Sequence, residues 1–127
     1  MDDFSEKTHQ RVFDTVSQVV ELVSNDQIPL ATERLTALVA EFPKEGLAHG
    51  YLAWVLSCRG QYREAIEHGR VAVQLSPRSE RVSLLFFRVL WGADQREQAM
   101  DEMRRFVGLE DSEEYARLIL ELEQAGL

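Results

Sequence analysis

Alanine recurs as Ala31, Ala65 and Ala99, a spacing of 34 residues, and other residue types keep the same period. Leu22, Leu56 and Leu90 follow it, as do Asp26, Gly60 and Asp94, and so do Pro43 and Pro77, with Asp111 standing where a third proline would fall. Self-similarity at such a period restricts the fold severely. Each period is one supersecondary unit that cannot bury its apolar face alone, so successive units must stack into a continuous core.

The unit is a pair of helices. Apolar residues recur at i, i+3, i+4 and i+7 along nearly the whole chain, with almost no strand-like alternation. Helices are expected over about 6–24, 28–42, 47–58, 62–76, 80–91, 96–107 and 112–125. The first ends at Asn25-Asp26, which compete with helical backbone bonding; the second and fourth stop before Pro43 and Pro77, because a residue preceding proline avoids helical geometry. The third closes at Arg59-Gly60, where glycine takes a left-handed turn, and the fifth at Gly92-Ala93-Asp94. The seventh opens with Asp111-Ser112-Glu113-Glu114, a capping-box spacing in which Asp111 bonds an orphan N–H and Glu114 bonds back. Within each unit, the small alanine lets the two helices approach closely and proline ends the second before the next unit begins.

Composition closes off several function classes. With 127 residues, the chain is one domain. A chain that is 45% hydrophobic and 28% charged can fold without a disulfide or metal. The formal charge of -8 repels a nucleic-acid backbone or an anionic lipid surface. The single cysteine, Cys58, and an acidic start, MDDFSEKTHQ, without a signal-peptide pattern lead us to expect a cytoplasmic location. No stretch approaches the ~18 consecutive apolar residues of a membrane helix, so no membrane insertion is expected. Twelve arginines against two lysines suggest a GC-rich bacterial genome.

Residues 46–79, GLAHGYLAWVLSCRGQYREAIEHGRVAVQLSPRS, carry a family resemblance. Leu52, Ala53 and Leu56 in a first helix, Gly60 and Tyr62 at the turn, and Ala65, Ala72 and Pro77 in a second helix resemble the tetratricopeptide repeat. Flanking units of about 12–45 and 80–113 depart from it: Gln18 replaces a leucine, Arg96 the turn tyrosine, and Gly69 lies where an aromatic is usual. The resemblance implies an all-α fold, a right-handed α-solenoid of three helical hairpins. A capping helix over about 112–125 would place Tyr115, Leu118, Ile119 and Leu122 inward and Glu113, Arg117, Glu121 and Gln124 outward.

In that family the first helices of the hairpins line a concave groove that receives a peptide or helix of a partner. The corresponding positions are Phe13, Val16, Val20 and Val23, then Leu47, Gly50, Trp54 and Cys58, then Arg81, Leu84, Arg88 and Trp91. Tryptophan and arginine dominate many interfaces, so the implied ligand is an apolar or amphipathic segment carrying some acidic groups, with Trp54 and Trp91 exposed to it. Val16, Val20 and Val23 are open to the chain's own N-terminus or a second copy as alternative covers. The family's two-carboxylate clamp is missing: Val16, Val20, Tyr51 and Leu85 occupy clamp positions where only Arg81 is retained.

The function expected is a non-catalytic protein-interaction module, an adaptor or client chaperone such as those of bacterial export systems; the alternative is a scaffold that self-associates through the same groove. A third reading, an enzyme using Cys58 or His68, has little behind it. His9, His49 and His68 lack metal-binding spacing, no cofactor motif occurs, and Glu64 and His68 read as a solvated pair one helical turn apart. Cys58 beside Arg59 reads as packing, and Arg104-Arg105 is too short a basic run for nucleic-acid binding.

Overall fold

The computed structural model describes residues 3–127; Met1 and Asp2, which begin the acidic start, lie outside the described residues. The described chain forms α1 (Asp3–Ser24), α2 (Ile28–Glu41), α3 (Gly46–Cys58), α4 (Tyr62–Leu75), α5 (Glu80–Gly92), α6 (Arg96–Val107) and α7 (Glu113–Gln124), with no strand among the described residues. The architecture is an all-α solenoid: α1/α2, α3/α4 and α5/α6 pair as hairpins in series, and α7 follows.

The turns inside the hairpins share one backbone solution. Gln27, Gln61 and Gln95 donate their amide N–H to the carbonyls of Leu22, Leu56 and Leu90 at 2.8, 3.0 and 2.8 Å. The residue before each glutamine is left-handed, with φ of 60° at Asp26, 75° at Gly60 and 62° at Asp94. This is the six-to-one bond of a Schellman closure, which satisfies a carbonyl the ending helix would otherwise leave orphaned. Aspartate tolerates the left-handed region better than most non-glycine residues. Each glutamine carbonyl then accepts the first bond of the next helix, from the amides of Ala31, Ala65 and Ala99 at 3.1, 3.0 and 3.0 Å.

The second helices bury narrow stripes: Ala31, Leu35 and Leu38 on α2, Ala65, Gly69 and Ala72 on α4, and Ala99, Met103 and Phe106 among the buried residues of α6. The three period-34 alanines are wholly buried, where a larger side chain would push the paired helices apart. The central helix α3 packs against α1, α2, α4 and α5, and it is apolar nearly all round because it has partners nearly all round. One core cluster joins α1 to α4 and reaches Leu85 and Val89; a second gathers Phe86, Phe87, Leu90, Met103, Phe106 and Tyr115, and Ile66 packs against both. The missing aromatic at Gly69 is supplied from the next hairpin: the Phe86 ring lies in the space a Gly69 side chain would take.

The cap of α7 differs from the expectation. Ser112, not Asp111, is the N-cap: its Oγ accepts from the Tyr115 amide at 3.0 Å and donates to Glu80 at 2.7 Å. Glu114 turns to Arg117 at 3.1 Å instead of bonding back. One residue of register decides this, because Ser112 alone can satisfy the helix end while donating to α5. Tyr115 is fully buried, Leu118, Ile119 and Leu122 are half-buried, and Glu113, Arg117, Glu121 and Gln124 are exposed.

Candidate binding face

Residues 34 apart occupy equivalent places in successive hairpins, as the repeated turn bonds show. The first helices therefore present rows. Phe13, Leu47 and Arg81 form one row, with Phe13 64% exposed, Leu47 half-buried and Arg81 exposed. Val20, Trp54 and Arg88 form the next, with Val20 42% exposed, Trp54 half-buried and Arg88 exposed. The face is apolar on α1 and α3 and basic on α5. Trp54 meets Tyr51 edge-on, ring centroids 6.0 Å apart, and Tyr51 is buried, so the indole rests on a rigid support.

Other candidate residues are placed elsewhere. Val16 is only 8% exposed and belongs to the core, unlike Val20 one turn on. Gly50 is buried as well: an added Cβ would sit 3.3 Å from Leu85 Cδ1, so glycine there serves the contact of α3 with α5. Val23 is half-buried and packs on the first core cluster. Trp91 is half-buried, as Trp54 is. It stacks on Phe87, ring centroids 5.6 Å apart, and Arg96 lies over its ring 5.0 Å from the centroid, a cation–π contact that links the end of α5 to the start of α6. Arg96, which replaces the usual turn tyrosine, thus has a packing role of its own. Cys58 is exposed, yet desolvation pushes its thiol pKa up, away from the reactive thiolate.

Between α5 and α7 runs a cleft of about 330 Å³ lined by Glu80, Arg81, Leu84, Leu85, Arg88 and Glu114. It adjoins a recess of about 160 Å³ where Phe87, Arg117, Leu118 and Glu121 join Leu84, Arg88 and Glu114. Arg81, Leu84 and Arg88, named from the sequence as groove positions, line the cleft from α5; Glu114 lines it from α7, and nothing in the period shows where that helix comes to rest. Among the described residues no group of His, Cys, Asp and Glu side chains could hold a metal ion, and no helix is long and apolar enough to cross a membrane.

His68 does not simply form a solvated pair with Glu64. Its Nδ1 lies 3.1 Å from Nδ1 of the buried His49, with the rings stacked at 5.3 Å, and His49 Nε2 is 2.8 Å from the Pro43 carbonyl. A carbonyl only accepts, so His49 carries its proton on Nε2, and His68 donates across the Nδ1 pair. Desolvation, and then the His49 charge, hold the His68 pKa below its ordinary value, against the opposing pull of Glu64 and Glu67. Between that lowered value and the unfolded value of about 6.5 the unfolded chain binds more protons, so stability rises with pH. Acidification from about pH 6.5 therefore lowers the urea midpoint progressively, and His68→Gln flattens this slope. A wild-type midpoint that stays level down to about pH 5 would contradict it.

No protein-family model matches the sequence, and no curated protein matches it by sequence. Solved structures do match its fold. The first tetratricopeptide-repeat domain of Spaghetti (RPAP3), bound to the HSP90 peptide SRMEEVD, is 14% identical with a TM-score of 0.73, over 91% of this chain and 95% of that one. A point variant of MamA is 19% identical with a TM-score of 0.63, over 80% of this chain and 74% of that one. MamA AMB-1 is 20% identical with a TM-score of 0.61, over 83% of this chain and 58% of that one.

Proposed function

We propose that this chain, whose fold is that of tetratricopeptide-repeat domains, is a non-catalytic protein-interaction module that receives an apolar or amphipathic segment of another protein on the α1–α3–α5 face. The observation that carries this reading is the exposure of Phe13 and Val20 in register with Leu47 and Trp54. Large apolar side chains exposed at equivalent positions along the first helices suit an interaction surface. Support by analogy comes from the fold neighbour that holds a peptide. An adaptor or client-shielding chaperone in a bacterial cytoplasm extends the reading, in keeping with the single cysteine and the arginine-rich basic set. The exposure of Phe13 also favours a second reading, a scaffold in which another copy covers this face.

Trp54→Ala tests the face. Peptides selected from a display library by the wild-type chain should lose about 2 kcal/mol of binding to this variant, with its helical circular dichroism unchanged. Because Trp91 contacts both Phe87 and Arg96 within the chain, Trp91→Ala should affect folding more than Trp54→Ala does. Equal affinity of the wild type and Trp54→Ala, or a selection that returns no peptide, removes the face from the proposal. Sedimentation equilibrium separates the two readings: a concentration-dependent dimer abolished by Phe13→Ser would favour self-association.

A further inference from the structure

We infer that the α5–α7 cleft is a subsite for two carboxylates about 10 Å apart on the bound segment, with an apolar side chain between them. This rests on the α1–α3–α5 face being the binding face, and it specifies what must lie at its basic end. Arg81 and Arg88 are two helical turns apart on α5, about 10 Å along its axis, with Leu84 midway. Both arginines are exposed, and neither has an ion pair or side-chain hydrogen bond among the described residues. Of the acids beside them, Glu114 is in an ion pair, while Glu80 is hydrogen-bonded and keeps its charge in the cleft. Glu80 accepts from Ser112 Oγ at 2.7 Å, and Glu114 pairs with Arg117 at 3.1 Å.

The cleft therefore offers two guanidinium groups without partners around an apolar floor, in a chain whose formal charge is -8. Guanidinium forks suit carboxylates because each can donate two parallel N–H bonds. The pair is not the family's clamp, whose other positions are Val16, Val20, Tyr51 and Leu85 here. Glu80 lines the cleft with both arginines, and Glu121, which has no side-chain partner among the described residues, shares the adjoining recess with Arg88, so each acid offsets part of that charge.

The probe is a set of labelled peptides, each with an apolar N-terminal half and, in the other half, a leucine flanked by two glutamates at graded separations, with glutamine counterparts. Fluorescence anisotropy measures them against the full chain at low and high salt. The best glutamate peptide should bind about tenfold more tightly than its glutamine match, and high salt should shrink the difference. Arg81→Gln and Arg88→Gln should each cost about fivefold, and Glu121→Gln should tighten binding about twofold. Glutamate and glutamine peptides that bind alike while Trp54→Ala still weakens both would overturn the subsite and leave the face standing. No binding by any peptide would overturn the face and the subsite with it.

Discussion

Glu102→Ala is expected to lower the unfolding free energy by about 3 kcal/mol, far more than a surface acid would. The Glu102 carboxylate is buried and accepts from Ser83 Oγ at 2.7 Å and from Arg105 Nε and Nη2 at 2.9 and 2.7 Å. Since the Ser83 proton goes to Glu102, the Tyr115 hydroxyl is the donor across its 2.7 Å contact with Ser83. Burial raises the Tyr115 pKa, which keeps that donor neutral. The network joins α5, α6 and α7, and truncating its acid leaves Arg105 with the Pro77 carbonyl at 2.9 Å and Ser83 short of its acceptor. Arg105 is about a third exposed and keeps the Pro77 carbonyl and water, so most of the loss falls on Ser83, which is fully buried and left without its acceptor, and on the space the carboxylate filled. Glu102→Gln keeps an acceptor for Ser83 and should fall between the two. Urea unfolding measures both variants, and a loss below about 1 kcal/mol for the alanine would show that the network adds little.

Gly69→Ala should destabilise the chain by about 2 kcal/mol, although the same change inside an ordinary helix gains about 1 kcal/mol. A Cβ at this position would fall within the ring of Phe86, against Cδ1 and Cε1, and Phe86 is only 8% exposed. The ring must then move within a packed core, where overfilling strains its neighbours. A double-mutant cycle isolates the cause. In a Phe86→Ala background the clash is gone, so Gly69→Ala should turn neutral or favourable there. A penalty that persists without the ring would place the cost in the backbone instead.

Much of the fold was legible because its signals are local. Hairpin turns at Asp26, Gly60 and Asp94 and helix stops before Pro43 and Pro77 depend on backbone geometry that the residue type dictates. Ser112 against Asp111 marks the limit of that reading: both side chains can cap, and the choice fell to the one that also reaches Glu80 on another helix.

The polar clusters carried a signal that went unread. His49 and Ser83 are 34 apart, as are His68 and Glu102, and as are Pro43 and Pro77. In the second hairpin His49 bridges His68 and the Pro43 carbonyl; in the third, Ser83 meets Glu102, whose partner Arg105 reaches the Pro77 carbonyl. Polar residues at the same two places of successive hairpins put such a bridge at one recurring position in the packing. Which column faces which follows only from how the two helices cross.

The sequence by itself determined the period, the seven helices and the residue types along the first helix of each hairpin, because turn geometry and amphipathic spacing act within a few residues. Tertiary structure decided which of those residues remain free. Val16 and Val20 are alike in sequence, yet one fills the core and the other stays open; Trp54 and Trp91 are both half-buried, but one meets the Tyr51 ring of its own helix while the other meets Phe87 of its own helix and also takes Arg96 from the next. Exposure is a property of what packs alongside. The cleft beside Arg81 and Arg88, and the Ser112–Glu80 bond at its edge, depend on where α7 comes to rest against α5, a contact between parts of the chain about 30 residues apart, whereas Glu114 pairs within α7 itself.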